Sequence, residues 1–195
     1  MESKERLELF QTELDYIKDN KIKKFTEETL KVLPNYFFKI PASSTGKYHP
    51  KFSLGDGGLV RHTKVAVRMA IDIMGLEMMQ FTDYQKDVVI SALTLHDGIK
   101  HGVPMQKYSI VEHPLEVVKF IREHTSLCSL LDSKTLENIL GCISSHMGMW
   151  NKDKGKNEIM PKPKTRLQQM VHLADYLSSR KYLNEFDFDI DIPRK

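Results

Sequence analysis

Apolar residues return every three or four positions through most of this chain, and that spacing constrains it to helices more tightly than any other feature. In ERLELFQTELDYIKDN, Leu7, Phe10, Leu14 and Ile17 fall on one helical face. A second short helix is expected from Thr26. LVRHTKVAVRMAIDIMG sets His62 on the face that carries Val65, Ala66, Met69 and Ile73. DYQKDVVISALTLHD starts at an acidic cap and ends on the pair His96-Asp97. Pro114 suits the first turn of a helix through PLEVVKFIREH, with His113 immediately before it. From Ser133, the residues Leu136, Ile139, Ile143 and His146 form a stripe, and Thr165 with Gln168 makes a capping-box pattern for a last helix, TRLQQMVHLADYLSSRKYL. The expected fold class is all-α, a helical bundle.

A chain of 195 residues, 41% hydrophobic, can bury one substantial core. The expected division is a helical extension over 1–35, a principal domain over 36–183 and a tail over 184–195. The tail's alternation of apolar and acidic residues reads equally as a short strand, a docking segment or a frayed end. No run approaches the roughly 18 consecutive apolar residues of a membrane span, and MESKERLELF lacks the apolar core of a signal peptide, so the expectation is a cytoplasmic protein with no membrane partner. Cys128 and Cys142 are too far apart for a CxxC pair, which argues against a thiolate zinc site or a disulfide framework. A net charge of +3 permits phosphate-bearing ligands without requiring them.

Chemistry gathers at LTLHDGIKHG. An imidazole and a carboxylate side by side at a helix end are a ligand pair that borderline divalent metals accept. Other helices offer His62 on an apolar face, His113 at a helix start and His146 on an apolar stripe. Asp175, set among Val171, Leu173, Ala174 and Leu177, must be neutralised, paired or metal-bound if it is buried. Each has a plainer reading. A single histidine on an apolar face is more often a hydrogen-bonded core residue than a ligand. The Asp97 and Lys100 pairing can be an ordinary helix-end ion pair. His101, His124 and His172 are assigned no ligand role, although His172 lies one turn before Asp175.

The order His62, His96-Asp97, Asp175 resembles the signature of the HD-domain superfamily of metal-dependent phosphohydrolases, over roughly residues 40 to 182. PASSTGKYHPKFSLGDGGLVRHT, HDGIK, ISSHMG and PKPKTRLQQMVHLADYLSSR look like the HD domain of bacterial 3′-to-5′ exoribonucleases. The resemblance implies an HD-like bundle in which His62, His96, Asp97 and Asp175 bind one divalent ion (Mn, Fe, Ni, Co or Mg), with His113 and His146 standing where members holding two metals add ligands. Two departures matter. Gly98 comes one place before the usual glycine, leaving Ile99 there, and Met147 follows His146 where many two-metal members have a second histidine. A thioether is a poor ligand for a hard ion, so a second metal is expected to be weakly held or absent.

A bound divalent ion lowers the pKa of water towards neutrality, and a second one about 3.5 to 4 Å away clamps both oxygens of a phosphoester displacement. Asp97 is the natural bridge between them, and Lys100 can offset phosphate charge. The loop before His62 can bring Ser43, Ser44, Lys47 and His49 to the mouth of the site, with Arg61 on phosphate. Trp150 reads equally as a stacking surface for a base and as a rim aromatic. NKDKGKNEIMPKPK reads as a solvated loop. The expected function is hydrolysis of a phosphoester in a nucleotide or short oligonucleotide. The alternatives are a 3′-to-5′ exonuclease on RNA or single-stranded DNA, and a non-catalytic metal-containing module that binds a nucleotide or protein. A homo-oligomer is compatible with each.

Overall fold

The computed structural model describes residues 1–47 and 49–185, and among these it is all-α. Eight α-helices follow in order: α1 (Ser3–Asp15), α2 (Asn20–Val32), α3 (Gly58–Gly75), α4 (Asp83–Leu95), α5 (His113–Glu123), α6 (Thr125–Cys128), α7 (Ser133–Ser145) and α8 (Arg166–Ser178). Short side chains start four of them by accepting from otherwise unpaired backbone N–H groups. Asp19 caps α2, Asp132 caps α7, and Thr82 and Thr165 form capping boxes with Gln85 and Gln168 at α4 and α8. The tail expected over 184–195 lies, after residue 185, outside the described residues. No helix among the described residues is long and apolar enough to cross a membrane.

Helices α3, α4, α7 and α8 make the centre: α3 packs on α4 and α8, α7 packs on α4 and α8, and α4 meets α8. Helix α2 covers α4, α1 lies on α2 and α3, and α5 lies on α7. The first 35 residues, expected as an extension, are part of one core: Phe10, Leu14, Phe25 and Leu30 are buried with Leu59, Val88, Leu93 and Ile143. Helix α2 also starts at Asn20, not near Thr26, because the Asp19 carboxylate accepts from Lys21 N at 2.8 Å and Ile22 N at 3.1 Å.

Gly98 in the HDGIK turn has a packing reason. A Cβ at Gly98 would lie 2.7 Å from Leu33 Cδ2, so the end of α2 closes directly on this turn, and Ile99 is buried in the core. The long segment before α3 is pinned rather than loose. Ala42 N donates to Ser53 O at 3.0 Å, Gly57 N to Lys39 O at 2.8 Å and Leu59 N to Ile40 O at 2.9 Å. The segment expected as a solvated loop turns back on itself through a bridge between Lys152 and Glu158, anchored by buried Asn151, whose Nδ2 donates to Met160 O at 2.9 Å.

Candidate metal centre

Five helices deliver the candidate ligands to one point. His62 comes from α3, His96 caps the C-terminus of α4 with Asp97 directly after it, His113 opens α5, His146 caps the C-terminus of α7, and Asp175 sits in α8. All four histidines and Asp97 are buried, at 4% exposure or less. His62, His96 and Asp175 offer ligand atoms within 4.8 Å of one another, and so do His96, Asp97 and His146.

The histidines are held in one tautomer. Nδ1 of His96, His113 and His146 lies 2.6, 2.8 and 2.8 Å from the carbonyls of Leu93, Ile110 and Ile143. A carbonyl only accepts, so each Nδ1 carries the proton and each neutral ring presents a bare Nε2. His62 follows the same rule through Ser178. That hydroxyl gives its proton to Asp175 O at 2.8 Å and accepts from His62 Nδ1 at 3.2 Å.

The bare nitrogens then face carboxylate oxygens and each other. His62 Nε2 is 3.0 Å from Asp175 Oδ1, and His96 Nε2 is 3.4 Å from the same oxygen. His113 Nε2 is 2.9 Å from Asp97 Oδ1 and 3.3 Å from His146 Nε2. Asp97 Oδ2 faces His96 and His62 at 3.5 and 3.8 Å, so one carboxylate spans both groups. Among the described residues, His96 Nε2 and Asp97 Oδ1 have no hydrogen-bond partner. Acceptors packed against acceptors in a dry interior repel unless a cation or protons lie between them. The donor set, imidazole nitrogens with carboxylate oxygens, fits a borderline divalent ion, and each ligand histidine has the backbone or hydroxyl partner that orients such ligands.

Electrostatics agree. Burial pushes the Asp97 carboxyl up, but Lys100, His96 and His113 outweigh it and hold it well below the usual range. Burial likewise raises Asp175, and His62 and His96 bring it well below. Burial lowers His62, and drives His146 down to about 3. His96 is pushed down by burial and up by Asp97 and Asp175, which prevail. Apart from the imidazoles, the two carboxylates face the single ammonium of Lys100, which pairs with Asp97 Oδ2.

A cavity of about 900 Å³ opens over this cluster. Ser43, Ser44, His49, Lys100 and Trp150 line it. His49 packs edge-on against His62, ring centroids 5.0 Å apart, its Nδ1 has no partner among the described residues, and burial holds its pKa down to about 3. Lys47 is on the loop but not in the cavity wall. Arg61, expected on phosphate, instead turns to its own loop and donates from Nε to Phe52 O at 2.5 Å and from Nη2 to Leu54 O at 2.8 Å. Ser44 joins Ser109 at 3.1 Å and His101 at 3.4 Å, tying the loop to the turn after Lys100. His172 donates from Nδ1 to His146 O at 2.7 Å, so it braces a candidate ligand from behind.

Sequence reasoning missed Ser178 and the cavity residues Tyr108, Ser109, Tyr176, Ser179 and Arg180. Helical spacing from Asp175 puts Ser178 and Ser179 on its face, a usable signal, whereas nothing local marks Tyr108 or Ser109. No family model, curated protein or solved structure matches the chain.

Proposed function

We propose that this chain is an HD-type, metal-dependent phosphohydrolase or phosphodiesterase acting on a nucleotide or short oligonucleotide. The observation that carries the reading is the buried cluster of bare imidazole nitrogens facing carboxylate oxygens, with every Nδ1 already spent. His62, His96, Asp97 and Asp175 would hold one divalent ion, and Asp97, His113 and His146 a second. An ion bound there supplies Lewis-acid activation of water and of the phosphoryl oxygen.

The chain's own residues have separate tasks. Lys100 holds Asp97 in place and adds positive charge at the cavity floor. Hydroxyls of Ser43 and Ser44 offer donors to phosphate oxygens, and His49 presents a neutral imidazole nitrogen without a partner among the described residues. The cavity is the size of a nucleotide-scale ligand site.

The test is chromatographic product analysis of Mn²⁺-loaded protein and its Asp97→Ala variant, with mononucleotides, cyclic and dinucleotides, short RNA and single-stranded DNA. Turnover lost in a variant that keeps its far-UV circular dichroism supports the reading. No turnover by metal-loaded protein on the whole panel contradicts it. Shortening of RNA or single-stranded DNA from the 3′ end would narrow the activity to an exonuclease, and retention of unchanged nucleotide would point to a binding module.

A further inference from the structure

The cavity rim carries a ledge that hydrolysis at the metal centre does not use. Tyr176 follows Asp175 on α8, and two side chains converge on its ring. Trp150 stacks on it with centroids 5.5 Å apart and planes 17° apart, and the Arg180 guanidinium lies 4.0 Å from its centroid. Arg180 is also only 6.0 Å from the Trp150 ring. Indole, phenol ring and guanidinium therefore form one cluster, with the guanidinium adjacent to both rings. Arg180 is fixed there: Nε donates to Tyr176 O at 3.0 Å and Nη2 to Ser179 Oγ at 2.7 Å, and that hydroxyl donates in turn to Tyr176 O at 2.7 Å. Its Nη1 has no acceptor among the described residues, and Trp150 keeps 46% exposure.

An open indole takes the face of any base, and a guanidinium with its geometry already set takes phosphate oxygens with little further loss of freedom. One beside the other matches a base with a phosphate next to it. The reacting phosphate belongs at Asp97 and Lys100, on the cavity floor. We propose that Arg180 is a specificity residue that selects substrates carrying a second phosphate beside a base stacked on Trp150. This rests on the hydrolase reading for the position of the first phosphate. The second phosphate is either the neighbouring link of a nucleotide chain or the additional phosphate of a nucleoside diphosphate.

Trp150 is the sole tryptophan of the chain, so its fluorescence reports stacking directly. Titrations in EDTA, where no turnover occurs, compare 5′-phosphorylated with unphosphorylated deoxyadenylyl dinucleotide, and ADP with AMP. Each probe should quench. In at least one pair the member with the extra phosphate should bind about tenfold tighter, and that ratio should fall to near one in Arg180→Gln and recover in part in Arg180→Lys. The pair that responds identifies the source of the phosphate. Absent quenching, equal affinities within both pairs, or a ratio unchanged in Arg180→Gln would each overturn the proposal. A separate arm measures turnover of bis(p-nitrophenyl) phosphate, which has neither base nor second phosphate, by Mn²⁺-loaded wild type. No turnover there with the ratio intact counts against hydrolysis and leaves the ledge supported.

Discussion

Gly148→Ala should loosen the brace behind His146 although the residue touches no candidate ligand atom. Gly148 has φ +59°, and a Cβ there would lie 2.2 Å from His172 Cε1 and 2.4 Å from Nε2. The imidazole must swing away, and it then loses the 2.7 Å bond from Nδ1 to His146 O. Left-handed backbone costs an alanine roughly 1–2 kcal/mol, and loss of the hydrogen bond costs about 0.5–1.5 kcal/mol. At about 2–4 °C per kcal/mol for a chain of this size, Tm of the metal-free protein should fall by roughly 5–10 °C. Differential scanning fluorimetry reads this directly. In Gly148→Ala/His172→Ala the clash is gone and the hydrogen bond is lost only once, so the double variant should be more stable than the two single losses added together, by about 1 kcal/mol. A Tm within a degree of wild type for Gly148→Ala, or strict additivity, would refute the reasoning.

Glu13 is fully buried in α1 and accepts from Lys64 Nζ at 2.9 Å and Arg68 Nε at 3.1 Å. Glu13→Ala should cost about 3–5 kcal/mol in urea unfolding, since it strips the carboxylate from between two largely buried cations; a loss under 1 kcal/mol would show that the cluster adds little. Metal binding should also depend on pH through His96, which Asp97 and Asp175 raise above its ordinary value. In the metal-free protein the His96 imidazolium contributes stability that is fully present below about pH 6.5 and lost as pH rises through its raised folded value. A metal must displace that proton, so the Mn²⁺-induced rise in Tm should grow from pH 6 to pH 8, and a rise that shrinks over that range would contradict the assignment.

Helical period exposed the fold because α2, α3, α5 and α7 each set an apolar face against a polar one. It mislaid the start of α2, where Asn20, Lys21, Lys23 and Lys24 dilute the pattern and only the Asp19 cap marks the beginning. The cluster was legible because His62, His146 and Asp175 each interrupt an apolar stripe, an anomaly visible in one dimension. Arg61 was misplaced by nearness to His62: consecutive helical residues point about 100° apart, so the neighbour of a ligand faces elsewhere. The ledge of Trp150, Tyr176 and Arg180 depends on how the turn after α7 lies against α8, a long-range contact that leaves no local period, whereas Ser178, which meets His62 of α3, was marked only by its spacing from Asp175.

Metal content of the purified protein, equilibrated with Mn²⁺, desalted and analysed by plasma mass spectrometry beside Asp97→Asn, tests the central claim most directly. Asparagine keeps the shape of Asp97 but puts a neutral amide where a charge faces His113 and His96. The account predicts at least one tightly held ion per chain in wild type and clearly less in the variant, with both giving the same helical circular dichroism. A wild-type protein that retains no stoichiometric metal, or a variant that retains as much, would contradict it.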